Sequence, residues 1–66
     1  MENFGSKIKR LRQEKNLSIV EAALKLDINK GSLSRYENNL VEPSFSMAVK
    51  IARLYGASLD YLASED

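Results

Sequence analysis

Four polar residues limit what this chain can build. Ser18, Asn29, Ser44 and Ser58 each stand directly before a stretch whose apolar residues recur at helical spacing, and Asn16, Asn38-Asn39 and Gly56 stand where such stretches end. A serine or asparagine in the first role accepts a hydrogen bond from an orphan amide of the opening turn, while asparagine and glycine tolerate the left-handed backbone that closes a helix. This punctuation predicts an all-α chain of five short helices, with no convincing strand.

The first helix is expected over about residues 5–15, with Phe4, Ile8, Leu11 and Lys15 on one stripe and Arg12 at its margin. Ser18-Ile19-Val20-Glu21 has the spacing of a capping box and opens a second helix of about eight residues. Asp27-Ile28-Asn29 interrupts the pattern, and a third helix runs from about Lys30 to Asn38. Beyond Pro43, Ser44 caps a fourth helix that carries Phe45, Ala48, Ile51, Ala52 and Tyr55 inward and ends at Gly56. Ser58 caps a last helix whose Leu59 and Leu62 face the core, before a polar Ser64-Glu65-Asp66 tail.

A chain of 66 residues buries only about 60% of its unfolded surface, so residues 1–66 are read as a single domain with one core. The absence of cysteine removes disulfides and thiolate metal sites, and the absence of histidine removes the commonest general base and metal ligand. No nucleophile and base pair or phosphate-binding glycine loop is present, so neither an enzyme, a cofactor nor a metal is expected. No apolar run approaches the ~20 residues that cross a bilayer, and no basic-then-apolar leader follows Met1. A cytoplasmic protein without a membrane partner is the expectation.

Charge is unevenly distributed. Residues 1–17 hold Lys7, Lys9, Arg10, Arg12 and Lys15 against Glu2 and Glu14, whereas residues 41–66 hold Lys50 and Arg53 against four carboxylates. The first half is expected to face an anion, although a basic helix is also what a solvated surface looks like. The segment NKGSLSRYENN sharpens the matter. With Leu33 at the centre of an inward face, Tyr36 and Glu37 lie beside it, and Gly31, Ser34, Arg35 and Asn38 point away. That outward set is small, polar and basic, as the edge of a nucleic-acid groove requires. An inward Glu37 needs a partner, because a desolvated lone carboxylate costs several kcal/mol, and Arg12 is the natural one.

Two helices joined by a three-residue turn fit a helix-turn-helix over about residues 18–38. IKRLRQEKNLS, KLDINKGSLSRYENN, EPS and KIARLYGASLDYL together resemble the Cro/repressor-type (XRE family, lambda-repressor-like) helix-turn-helix proteins of bacteria and their phages, over residues 7–63. The resemblance implies a five-helix domain that dimerises and binds double-stranded operator DNA with its third helix in the major groove, as a transcriptional regulator. Carried over by position, Lys30, Gly31, Ser34 and Arg35 fall where such proteins contact bases, and Ser18, Asn29, Ser32 and Asn38 where they approach phosphates. Arg12 and Glu37 match a pair that is commonly partly buried.

The homodimer interface is expected on the last two helices, around Leu54, Ala57, Tyr61 and Leu62, where apolar residues exceed core needs. The chain departs from the family pattern at Ile19, where many relatives place a phosphate-binding glutamine, and at Asp27, where glycine is usual. Ile19, Val20 and Leu24 make the second helix unusually apolar, which exchanged packing explains. A protein-binding patch there is the sharper reading. It leaves a second function class open, a protein-interaction module such as an antitoxin-like or regulatory subunit.

Overall fold

The computed structural model describes residues 2–64; Glu65 and Asp66 of the expected tail lie outside them. The helices are α1 (Phe4–Glu14), α2 (Ile19–Leu26), α3 (Lys30–Glu37), α4 (Phe45–Tyr55) and α5 (Leu59–Ala63). At each start one side chain accepts from the amide three residues on: Asn3 from Ser6, Ser18 from Glu21, Asn29 from Ser32, Ser44 from Met47 and Ser58 from Tyr61. Ser18 and Glu21 form the full reciprocal capping box. Between helices the backbone turns left-handed at Asn16, Asp27, Asn39 and Gly56, with φ of 57°, 60°, 59° and 67°. Three of these four are Asn or Asp, whose short polar side chains make that conformation tolerable.

Ile8, Ala22, Ala23, Leu26, Leu33, Ile51, Ala52, Tyr55 and Leu62 form the core. α1 packs against α3, α4 and α5, and α2 against α3 and α4. Helices of 8 residues, such as α2 and α3, are too short to stand alone in water, so this packing is what keeps them folded.

Four sequence expectations are corrected. Phe45, expected inward, is 77% exposed. Its angle on α4 is suitable, but the first turn faces an open cleft lined by Phe4, Val41, Pro43, Leu59 and Ala63 rather than another element. Lys15, expected on the apolar stripe, follows the end of α1 and is exposed. Lys7, counted with the anion-facing charges, is 1% exposed. Leu62, placed on the dimer surface, is 2% exposed and belongs to the core.

Tyr55 is buried, and its hydroxyl finds no hydrogen-bond partner among the described residues. Burial pushes its pKa up to about 12, with the nearby Glu37 carboxylate adding to the rise. Removing an unsatisfied buried hydroxyl relieves a desolvation cost of about 1–3 kcal/mol, so Tyr55→Phe is expected to be neutral or stabilising in urea unfolding. The raised folded-state pKa also means that the unfolded chain loses this proton first. Wild-type stability should therefore fall as pH rises from about 10 to 12, more steeply than that of Tyr55→Phe. Parallel stability curves for the two proteins over that range would contradict the assignment.

Candidate nucleic-acid interface

The outer face of α3 is set by what fastens its inner face. Leu33 is fully buried, and Glu37, 6% exposed, meets Arg12 of α1. Arg12 Nε donates to Glu37 Oε2 at 2.7 Å and Nη2 donates to Oε1 at 3.1 Å, a two-pronged contact between a planar fork and a carboxylate. A third donor, Nη1, reaches the Leu17 carbonyl at 2.9 Å, immediately before the Ser18 cap of α2. One guanidinium thus joins α1, the entry of α2 and the end of α3. The hydrogen bonds to Glu37 raise the Arg12 pKa further above its already high value, so its charge is permanent.

The exit from α3 is fastened separately. Asn39 Oδ1 accepts from the Gly5 amide at 3.0 Å, and Asn39 Nδ2 donates to Asn3 Oδ1 at 2.9 Å. A Cβ at Gly5 would lie 2.3 Å from the Glu37 carbonyl oxygen, closer than real atoms approach, so only glycine lets α1 and α3 come this near. Sequence reasoning passed over Gly5. Its signal was a glycine on the same face as Ile8 and Arg12, at a helix start where nothing else called for one.

Lys7 was also misread. It stands between Phe4 and Leu11 on the apolar stripe of α1, and that position foretold its burial. Its Nζ donates to the Tyr61 carbonyl at 2.8 Å and to the Ser64 carbonyl and hydroxyl at 2.6 Å each, and it sits 4.7 Å from the centre of the Tyr61 ring. A cation gathering the last carbonyls of α5 satisfies acceptors that the helix leaves open. Arg10 is likewise engaged, with Glu2 at 2.7 Å, Glu14 at 2.9 Å and the Tyr61 hydroxyl. Lys7, Arg10 and Arg12 are thus structural, whereas the side chains of Lys9 and Lys15 make neither an ion pair nor a hydrogen bond among the described residues.

Lys30 and Arg35 are exposed on α3, with Gly31, Ser32 and Ser34 half-buried beside them and Asn29 and Asn38 exposed at the two ends. The Arg35 guanidinium lies back along the helix, its Nη1 3.6 Å from where a Gly31 Cβ would stand. A methyl group at Gly31 would be in ordinary contact with Arg35 and tight only against Asn29 Oδ1, at 3.3 Å. Asn29 Oδ1 is taken by the Ser32 amide at 2.8 Å, which leaves the Asn29 amide hydrogens free to donate. Ser18 Oγ accepts from the Glu21 amide at 3.0 Å, and its hydroxyl lies beside the Glu21 carboxylate, whose pKa the Ser18 amide and this hydroxyl hold down. Asn38 differs, because its Nδ2 donates to the Ser34 carbonyl at 2.9 Å and to the Ser34 hydroxyl at 3.3 Å. What remains on Asn38 is an acceptor, poorly suited to a phosphate.

Of the residues expected at a dimer surface, Leu54, Ala57 and Tyr61 are half-buried, and Tyr61 is engaged by Lys7 and Arg10. The larger exposed apolar groups lie elsewhere. Val41 and Phe45 are 47% and 77% exposed beside a cleft of about 660 Å³ between α1, α4 and α5, and Leu40, just before them, is 73% exposed. On α2, Val20 and Leu24 are 48% and 74% exposed, while Ile19 is half-buried against the core.

A family model described as helix-turn-helix matches residues 8–62. The HTH-type transcriptional regulator ImmR of Bacillus subtilis is 36% identical over 64 residues, covering 97% of this chain and 50% of that protein. The chain spans about half the length of the curated relatives it matches. The N-terminal DNA-binding domain of SinR from Bacillus subtilis superposes with a TM-score of 0.86 at 34% identity, covering 96% of this chain and 93% of that one. SinR has also been solved in complex with DNA, and that chain superposes with a TM-score of 0.81 at 35% identity, covering 89% of this chain and 95% of that one. The P22 c2 repressor, with synthetic operator, shares the fold at a TM-score of 0.92 and 18% identity, with the whole of both chains covered.

The Arg12–Glu37 contact generates a prediction about stability. Truncating either residue alone leaves the other charge poorly solvated and should cost roughly 3–5 kcal/mol. The double variant should lose much less than the sum, and a double-mutant cycle in urea unfolding reads the difference. Additive losses would mean that the two charges do not act as a pair.

Proposed function

The chain belongs to the helix-turn-helix family of repressor-like DNA-binding regulators, and from that premise we propose that it represses transcription by binding an inverted-repeat operator as a homodimer. The observation that carries this reading is the outer face of α3. Lys30, Ser34 and Arg35 lie together on it, while Leu33 and Glu37 hold the opposite face to the body of the protein. Arg35 has the fork that matches O6 and N7 of guanine, a contact worth about 1–3 kcal/mol of discrimination. Gly31 lets the groove edge approach the backbone of α3 closely. Asn29 and Ser32 retain hydrogen-bond donors for phosphates at the start of α3, and Ser18 would offer its hydroxyl at the start of α2 by turning it from Glu21; the helix dipoles also favour an anion at both places. Asn38 is not retained among the phosphate contacts.

One α3 reads only a few base pairs, too few to single out one operator among the ~10⁶ competing sites of a small genome. Two copies with two-fold symmetry require an inverted repeat whose half-site centres lie about 10 base pairs apart. We place the joining surface on Val41, Phe45 and the Leu59 edge of α5, because the large exposed apolar groups are there and Leu62 is not available. The exposed Val20 and Leu24 of α2 favour a second reading, in which the main ligand is another protein. Binding no better to a selected sequence than to random duplex, alongside a stable complex with a different protein, would establish that reading instead.

Two outcomes follow. Arg35→Ala should relax base preference in a selection from random DNA, whereas Ser18→Ala should weaken binding to every sequence alike, since phosphate contacts position and base contacts specify. Equal losses on operator and random DNA for Arg35→Ala would remove it from the base-reading role. Phe45→Asp should move the protein toward monomer in sedimentation and lower operator affinity while helical content is kept, because the ring is already exposed. A fully dimeric Phe45→Asp protein with normal operator binding would refute this interface.

A further inference from the structure

The Arg12 guanidinium holds the start of α2 and the end of α3, but not the other two ends, which the turn Asp27-Ile28-Asn29 joins. At the close of α2 the Asp27 and Ile28 amides donate to the Leu24 and Ala23 carbonyls at 3.1 and 3.0 Å. These bonds leave the Leu26 carbonyl over. Lys50 takes it from α4, its Nζ donating at 2.7 Å. This is the one hydrogen bond of the Lys50 side chain among the described residues, and it makes no ion pair there. Such a charge-assisted bond is short and strong, and a cation at this place complements the negative end of the α2 dipole. The buried face of α2 is Ala22, Ala23 and Leu26. Two of these three side chains are single methyl groups, which raise little relief for a neighbouring helix to lock against. Apolar packing alone therefore fixes the position of the α2 end weakly.

We propose that Lys50 is a positioning residue of the DNA interface: by pinning the end of α2 to α4 it sets where α3 begins, and so where Asn29 and Lys30 meet the duplex. Each residue of the intervening turn is constrained. Asp27 is left-handed with its amide bonded back to α2, Ile28 packs against the core, and Asn29 caps α3. A displacement of the Leu26 carbonyl is therefore passed on to the first turn of α3 instead of being absorbed. Arg12 fixes one end of each helix, and Lys50 fixes the ends that are joined. Without the second pin the two helices can tilt together about the Arg12 contacts, and the Lys30 end moves most. Lys50 acts on DNA binding through these groups and not by touching the duplex. The inference rests on the reading that α3 enters the major groove.

An operator selected from a random DNA pool by wild type is titrated with wild type, Lys50→Met, Lys50→Arg, Lys30→Ala, Arg35→Ala and the double variant Lys50→Met/Lys30→Ala, at a temperature where circular dichroism shows every protein fully folded. Lys50→Met keeps the apolar stem and removes the donor. It should lose affinity on the order of fivefold, the worth of one hydrogen bond expressed as a smaller fraction of protein in the binding position. Lys50→Arg, which keeps a cationic donor, should recover most of that loss. In the Lys30→Ala background Lys50→Met should cost much less, because the contact that it positions has already gone. Amide exchange at Asp27 and Ile28 should quicken in Lys50→Met while that of α1 stays as in wild type. Wild-type affinity in Lys50→Met overturns the proposal. A loss that Lys50→Arg shares in full also overturns it, as does one that adds independently to the loss in Lys30→Ala, the sign of a separate DNA contact by Lys50. If Lys30→Ala and Arg35→Ala weaken binding and Lys50→Met does not, this inference fails and the groove reading stands. If neither Lys30→Ala nor Arg35→Ala weakens it, the groove reading has failed and the inference with it.

Discussion

The contact between Arg12 and Glu37 decides which face of α3 the protein shows. An eight-residue helix has too little stability of its own to hold an orientation. Leu33 and the half-buried Tyr36 hold its inner face by apolar contact, which is not directional. The guanidinium fork and the carboxylate meet in one geometry, so the pair removes that freedom. Buried ion pairs are often no more stabilising than apolar residues of similar size. The value of this one lies in orientation. Because the same guanidinium also holds the Leu17 carbonyl, the start of α2 is referred to the same point as the end of α3.

Using cations as fasteners changes what the charge of the chain means. Lys7, Arg10 and Arg12 supply much of the positive excess of the first 17 residues, and each is occupied by carboxylates, carbonyls or a hydroxyl of the protein itself. Lys50 is similarly engaged, donating to the Leu26 carbonyl at the end of α2 at 2.7 Å. The exposed cations that make no ion pair or side-chain hydrogen bond among the described residues are Lys9, Lys15, Lys25, Lys30, Arg35 and Arg53, of which only Lys30 and Arg35 lie on α3. A DNA interface built from so few cations leans on hydroxyls, side-chain amides and helix starts for its remaining phosphate contacts. Such contacts are short and directional, so they fix position more than they supply affinity.

The helices were legible because their boundaries are local. Ser18, Asn29, Ser44 and Ser58 cap within three residues of themselves, and no distant part of the chain is needed to predict that. The outward face of α3 and the pairing of Glu37 with Arg12 were legible for a related reason, since a charged residue inside an apolar pattern demands a partner. What the sequence concealed depends on neighbours that periodicity cannot supply. Phe45 has the angle of a core residue, but nothing packs over the first turn of α4. Lys7 stands on the apolar stripe of α1, but that a charge can be buried there depends on the three oxygens offered by the distant end of α5. Gly5 is needed only because the Glu37 carbonyl passes within reach of its absent side chain.

The two asparagines that bound α3 are oriented in opposite senses, and this gives the helix a polarity beyond its backbone dipole. Asn29 turns its oxygen inward to the Ser32 amide and keeps both amide hydrogens, whereas Asn38 turns its nitrogen inward and keeps an oxygen. Donors are thus gathered on Asn29, Lys30 and Arg35, and an acceptor stands at the far end. The dipole acts in the same sense, with its positive end at Lys30. An anionic, acceptor-rich surface is therefore best met by the first turns of α3, with the Asn38 end turned away. This polarity suits the proposed entry of α3 into a groove by its N-terminus. Each terminal asparagine is fixed by a backbone atom of α3 itself, so this polarity is present before any DNA arrives.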